Sequence, residues 1–313
     1  NSGFNDVYTD VDVLDCIDFK KIPLHKLQKI IWHIAKIGKL SEIKGFPTGD
    51  QHIQRLNVVL TTRCTLNCEH CSSLIPYYEK QSDFETTKIL KRSISTIVDE
   101  IEEIVNTYGV RHFWIIDDVL TLVRKRTVEF CEQIIDRNLN ITFEGNTRAN
   151  LLDEELVSIM KKAGLIRLSF GLETVDEDMR KTMNKKVPLD AYREANALLN
   201  KYKIEALNSV MIGLPGESEE NVWKTLNFLK EAREVKQANF AIAVPYPGTV
   251  FHDMAKSGKD GIELLTEDFT EYKRYGHAVT NVGSLSSEDL LRLQNEGFVS
   301  IYSKYWRWLP VIR

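Results

Sequence analysis

Leu56-Asn-Val-Val-Leu-Thr-Thr-Arg-Cys64-Thr-Leu-Asn-Cys68-Glu-His-Cys71 joins a short apolar run to a cysteine triad with the spacing C-x3-C-x2-C. Thiolates this close cannot all pair with one another, and three is an odd number, so a shared metal centre is the better reading than a disulfide framework. A mononuclear structural zinc site takes four ligands, usually as two separated pairs, and no second pair follows here. Zinc completed by His70 or by a distant histidine stays as the alternative. A cluster of four irons takes one thiolate per iron, so three cysteines leave one iron with an open position, as a catalytic centre requires.

Outward from this stretch the apolar run at 56–62 is the first of a series. Short apolar segments at 111–117, 140–145, 165–171, 204–212 and 237–244 read as strands. Helical patterns at about 85–107, 122–137, 153–163, 189–201 and 218–234 lie between them. Strands alternating with helices imply parallel strands joined by right-handed crossovers. The expected fold is therefore α/β, a partial (β/α)6 TIM-like barrel over 56–255 whose reactive groups sit at the carboxyl ends of the strands. Residues 1–55 read as an N-terminal extension, with an amphipathic helix over 22–35 broken at Gly45-Phe-Pro-Thr-Gly49. Residues 256–313 read as a C-terminal helical cap, its helix starting at Ser286-Ser-Glu-Asp289 with a serine N-cap and an acidic first turn.

Composition narrows the class. A net charge of −4 gives no electrostatic footprint for nonspecific nucleic-acid binding. No apolar run approaches the length of a membrane span. Asn1-Ser-Gly-Phe-Asn-Asp6 lacks the basic and apolar regions of a signal peptide, and clustered reduced thiols carry the expectation of a cytoplasmic setting. The absence of an initiator Met carries the expectation of a trimmed chain.

The strand ends hold the candidate ligand residues. Asp117 and Asp118 follow the second strand, where a carboxylate can accept charge-assisted hydrogen bonds from an ammonium group; a helix N-cap is the competing reading. Glu144 and Arg148 stand on and after the third strand, with a solvated loop-edge carboxylate as the alternative for Glu144. Ser169-Phe-Gly-Leu-Glu173 ends the fourth, and Lys185 follows it on what reads as a charged helix. Met211 and Gly213 end the fifth at Gly213-Leu-Pro-Gly216, offering an apolar edge and a backbone that lets a flat ligand come close. Val244-Pro-Tyr-Pro-Gly-Thr249 ends the sixth, either as a rigid turn or with Tyr246 at the barrel mouth.

With these motifs in order, the sequence resembles the radical S-adenosylmethionine (SAM) superfamily, whose signature is C-x3-C-x-aromatic-C after the first barrel strand. His70 holds the aromatic position. Over 110–250 the chain is most similar to the cobalamin-binding branch. The resemblance implies that Cys64, Cys68 and Cys71 hold a [4Fe-4S] cluster and that SAM chelates the fourth iron through its amino and carboxylate groups. Reductive cleavage would then give methionine and a 5′-deoxyadenosyl radical that abstracts hydrogen from substrate. It further implies that Asp117, Asp118 and Glu144 contact SAM, that Glu173 within the Ser-x-Gly-x-Glu pattern meets the ribose hydroxyls, and that Lys185 meets the SAM carboxylate. Arg148, Ser169, Met211, Gly213 and His70 complete the implied cofactor-binding set. A one-electron donor such as flavodoxin or ferredoxin and a small-molecule or peptide substrate are the partners it implies, and no catalytic side chain is singled out. Cobalamin has no residue to support it: the motif Asp-x-His-x-x-Gly is absent, and Trp32-His33-Ile-Ala-Lys-Ile-Gly38 lacks its Asp and its glycine spacing. Two competing functions stay open, a methyltransferase working with cobalamin from a missing domain and a zinc-holding barrel without catalysis.

Overall fold

A computed structural model describes residues 56–58, 92–183 and 185–303. The expected N-terminal extension, the cysteine triad and His70 lie outside the described residues.

Six strands form one parallel sheet in chain order: β1 (Leu56–Val58), β2 (His112–Ile115), β3 (Thr142–Asn146), β4 (Leu165–Glu173), β5 (Glu205–Ile212) and β6 (Gln237–Ile242). Each neighbouring pair is parallel, with Val58 opposite Ile115, Glu144 opposite Arg167, and Ser169 opposite Leu207. Between consecutive strands run α1 (Ile94–Tyr108), α2 (Arg124–Asp136), α3 (Glu154–Ala163), the short α4 (Glu177–Thr182) with α5 (Leu189–Lys201), and α6 (Glu219–Glu231). This is the alternation expected from the sequence. Among the described residues no pairing joins β6 back to β1, so the sheet is an open partial barrel.

Local chemistry explains where the elements stop. In α3 the Asp153 carboxylate accepts the Leu156 amide, Glu154 and Glu155 fill the first turn, and Lys161 and Lys162 the last, each sign matched to the helix dipole. Gly164 ends α3 at φ 110°, and a Cβ there would fall 2.1 Å from the Ile141 carbonyl oxygen, so only glycine lets α3 turn into β4. α1 is capped by Ser93, whose side chain accepts the Thr96 amide; the part of the expected helical pattern before residue 92 lies outside the described residues.

Alternation of side chains separates the two faces of the sheet. Leu168, Phe170 and Leu172 of β4 and Ala206, Val210 and Ile212 of β5 are buried in the main core with the apolar faces of the helices. On the opposite, inner face stand the half-buried Arg167, Ser169, Gly171 and Glu173, then Leu207, Ser209 and Met211. Asn208 is the polar exception on the helix side. Its side chain exchanges two hydrogen bonds with Asn196 of α5, at 2.9 and 3.0 Å, so a fully buried amide pair fixes that helix to that strand.

After β6 come α7 (Val250–Ser257), an antiparallel hairpin of β7 (Ile262–Leu264) and β8 (Thr280–Val282), and α8 (Ser287–Tyr302). The hairpin and α7 are additions to the expected order; strands of three residues carry too little periodicity to be read. α8 starts where the sequence places it, with Ser286 and Asp289 forming a reciprocal capping box. It lies across β6, Gly297 over the Phe240 ring and Phe298 edge-on to the same ring at 5.3 Å. A Cβ on Gly297 would stand 2.7 Å from that buried ring, whose neighbours leave it no room to retreat. Gly297→Ala is therefore expected to lower stability by about 1–3 kcal/mol in urea denaturation, the usual cost of overpacking; an unchanged midpoint would show that the helix can slide. No helix among the described residues is long and apolar enough to cross a membrane.

Candidate functional site

Because all six strands are parallel, their carboxyl ends share one edge of the sheet. The β1 end is tied into it by the Ile116 amide, which donates to the Val58 carbonyl at 3.1 Å. The cysteine triad follows β1 in sequence. The ends of β2, β3 and β4 are stitched together by the Leu120 amide on the Asn146 carbonyl and the Thr147 amide on the Ser169 carbonyl, both at 2.8 Å.

At the end of β2, Asp117 is buried and its carbonyl accepts from the Asn146 side chain at 3.4 Å, whereas Asp118 is exposed. Neither is a helix cap, since α2 begins only at Arg124 with Val123 before it. Arg148, half-buried, precedes a single 3-10 turn over Ala149–Leu151. Glu144 stands in the middle of β3, not at its end. On the inner face its carboxylate meets His112 Nε2 at 3.2 Å and Arg167 Nη1 at 3.5 Å, and Arg167 in turn donates to Glu205 at 2.8 Å. Glu144 thus belongs to a charge network spanning β2 to β5, two residues short of the strand end where Asn146 sits. Its buried charge is balanced within the sheet.

The end of β4 gathers the largest group of candidates. Glu173 takes a left-handed backbone at φ 63°, where the register with β5 shifts by one residue. For a residue other than glycine this costs about 1–3 kcal/mol and persists only where surrounding contacts enforce it. Its carboxylate folds back over Gly171 and pairs with the Lys185 ammonium at 3.5 Å, the two side chains only 15% and 12% exposed. A Cβ on Gly171 would lie 2.1 Å from Glu173 Oε1 and 3.1 Å from Lys185 Nζ. The glycine of the Ser-x-Gly-x-Glu pattern is the space in which those two charges meet. Tyr192 of α5 supports the spot from behind, its hydroxyl donating to the Gly171 carbonyl at 2.8 Å, and burial raises that phenol above its ordinary pKa. Ser169 sits one layer deeper on the same inner face.

Beside it, β5 ends at Met211 and Gly213. Met211 packs against a satellite apolar cluster of Met179, Met183 and Leu214. Gly213 has φ 83°, and α8 approaches so closely that a Cβ would meet Leu290 at 3.2 Å. Sequence reading missed the residue that shapes this turn. Glu217 is fully buried, and its carboxylate accepts the Gly213 amide at 2.6 Å and the Leu214 amide at 3.2 Å. Five residues of spacing from a strand end to an acidic residue was the only signal available, and it reads equally well as the first turn of a solvated helix.

Burial pushes the Glu217 carboxyl up to about 8, against the two amide donors, with the Asp176 charge adding to the rise. The folded chain therefore holds this proton more tightly than the unfolded one. Stability from that proton is fully present below the ordinary carboxyl value of 4.5 and is lost as pH rises through about 8. Thermal stability is expected to fall from pH 6 to 9, and Glu217→Gln, whose amide oxygen still accepts both amides, to flatten that slope. Equal slopes in the two proteins would mean Glu217 is ionised throughout.

Residues 58–229 match the family model described as the Radical SAM superfamily. The chain is 27% identical over 246 residues to an uncharacterized methyltransferase of Pyrococcus horikoshii, covering 78% of this chain and 51% of that protein. It is 30% identical over 211 residues to the anaerobic magnesium-protoporphyrin IX monomethyl ester cyclase of Rubrivivax gelatinosus, covering 67% and 35%. The chain therefore spans between a third and about half of these relatives. In fold it is similar to the radical SAM methyltransferase TsrM of Kitasatospora setae solved with cobalamin and a [4Fe-4S] cluster, at a TM-score of 0.58 and 15% identity over 77% of this chain and 46% of that one. The cobalamin-dependent SAM radical enzyme OxsB gives a TM-score of 0.57 at 14% identity over 83% and 41%.

Proposed function

The chain belongs to the radical SAM superfamily, and from that premise we propose that it binds a [4Fe-4S] cluster through Cys64, Cys68 and Cys71 and SAM along the carboxyl edge of the sheet, cleaving SAM reductively to abstract hydrogen from a substrate. The observation that carries this reading is the half-buried pair of Glu173 and Lys185 over Gly171, beside the turn at Gly213. These residues fit the ligand: SAM presents two vicinal hydroxyls, an ammonium, a carboxylate and a flat base, and the edge offers a carboxylate, an ammonium and the partly buried apolar side chain of Met211. The donor set fits the cluster too, three thiolates for four irons. When bound, cluster and SAM supply one-electron chemistry that the protein itself lacks.

In this reading Glu173 accepts hydrogen bonds from the ribose hydroxyls, releasing Lys185 to meet the methionine carboxylate. Asp117 and Asp118 face the ammonium, and Met211 and Gly213 line the adenine. Ser169, Arg148 and His70 complete the surroundings, while Glu144 acts through its network with His112 and Arg167. Residues 1–55 serve as an N-terminal extension, 56–255 as the core and 256–313 as a cap over the substrate side. Its partners are a one-electron donor such as flavodoxin or ferredoxin and a small-molecule or peptide substrate, in a cytoplasmic setting.

A second reading, methyl transfer with cobalamin held by another domain, is favoured by the names of the relatives and by the part of their length this chain leaves uncovered. Anaerobic reconstitution with iron and sulfide, then SAM and a reductant, tests both. Formation of 5′-deoxyadenosine supports the first. S-adenosylhomocysteine formed only on addition of cobalamin supports the second, and a colourless protein yielding neither product overturns both.

A further inference from the structure

Arg180 lies in α4, on a run of charged residues that reads as a solvated helix, yet it is buried at 6% exposure while its neighbours Glu177, Asp178 and Lys181 are exposed. No carboxylate among the described residues forms an ion pair with it. Its guanidinium instead donates to main-chain carbonyls: Nη1 to Thr174 at 3.0 Å and, more weakly, to Leu172 at 3.5 Å, and Nη2 to Val187. It also stands over the Tyr192 ring, 5.7 Å from the centroid.

The carbonyls it gathers are informative. Leu172 and Thr174 are the residues on either side of Glu173, whose left-handed backbone has to be enforced by something. Val187 lies two residues after Lys185, and the Lys185 amide donates to the Arg180 carbonyl at 2.8 Å. One planar group with several fixed donors therefore ties the backbone bearing Glu173 to the backbone bearing Lys185, and Tyr192, on which it rests, holds the Gly171 carbonyl between them. An apolar residue of the same volume would leave the Leu172, Thr174 and Val187 carbonyls without these donors, so the buried cation is what joins the two backbone segments.

We propose that Arg180 is a positioning residue for SAM: it sets the distance and direction of the Glu173 carboxylate and the Lys185 ammonium, and so the affinity of the site, without touching the ligand. The proposal rests on the reading that Glu173 and Lys185 contact SAM. With Arg180 in place the two side chains are held ready across Gly171. Without it, Glu173 returns to an ordinary extended backbone and its carboxylate swings off the glycine.

The test is a cycle of variants of the whole chain, reconstituted with its cluster, read by equilibrium dialysis of SAM and by the split between KM for SAM and kcat. Arg180→Leu is expected to weaken SAM binding by about 10- to 100-fold, the scale set by a misplaced binding group, and to raise KM with iron content unchanged. In a Glu173→Gln, Lys185→Met background, already weak, Arg180→Leu should add nothing further, because the residues act as one unit. Arg180→Lys keeps the charge but cannot span both backbone segments, so a smaller loss of the same kind is expected from it if the leucine variant fails to fold. Wild-type affinity in Arg180→Lys or Arg180→Leu overturns the proposal, as does a loss that is equally large in the double-variant background. If Glu173→Gln with Lys185→Met leaves SAM affinity unchanged, the underlying site is wrong, a result distinct from failure at Arg180 alone.

Discussion

Cys68→Ala is expected to leave a protein without iron–sulfur absorbance and without SAM cleavage, whereas Cys131→Ala keeps both. Each iron of a four-iron cluster needs a ligand, and the triad supplies only three. Removing one would leave a second iron without a thiolate. The effect should exceed the ~10–100-fold loss that follows removal of a mere supporting contact to a metal ligand. Cys131 is the control because its chemistry is opposite. It lies fully buried in α2, and burial pushes its thiol up to about 12, so at neutral pH it is an uncharged apolar filler. Its truncation costs packing, about 1 kcal/mol, and no cofactor. Iron content and 5′-deoxyadenosine measured on both variants check the prediction, and a Cys68→Ala protein that retains iron at the wild-type ratio would refute the ligand assignment.

Gly171→Ala is the second large effect, and its interest lies in how little it should do to the fold. A new methyl group would stand 2.1 Å from the Glu173 carboxylate and 3.1 Å from the Lys185 ammonium. Both are the far ends of flexible side chains, so they move aside at small cost, and the backbone at 171 needs no conformation reserved for glycine. The melting temperature should change by no more than a few degrees. SAM binding should suffer far more. Displacing one or two charge-assisted hydrogen bonds removes about 1.5–3 kcal/mol each, which is roughly 10- to 100-fold in Kd per bond. An unchanged Kd in a folded Gly171→Ala protein would place SAM elsewhere on the edge.

The order and kind of the barrel elements were legible because each rests on a local signal. The strands from β2 to β6 are short apolar runs, and the start of α8 was readable from Ser286 and Asp289 alone. The Ser-x-Gly-x-Glu pattern was readable as a motif, but its physical reason was not. That Gly171 makes room for two opposite charges depends on Lys185, fourteen positions on from Gly171 and brought back by the turn after α4. Glu144 illustrates the opposite limit. Its partners His112 and Arg167 come from neighbouring strands, and nothing in a five-residue strand reveals that its middle carboxylate is neutralised across the sheet. Arg180 was invisible for the same reason, since only the return of the chain at Val187 turns a charged helix surface into an interior.

The most direct measurement of the central claim is electron paramagnetic resonance of the reduced, reconstituted chain before and after SAM is added. A signal from a single reduced [4Fe-4S] cluster is expected, its g-values shifting on addition of SAM because one iron would take the ligand. A cluster signal that SAM leaves unaltered, or stoichiometric zinc in place of iron, would contradict it.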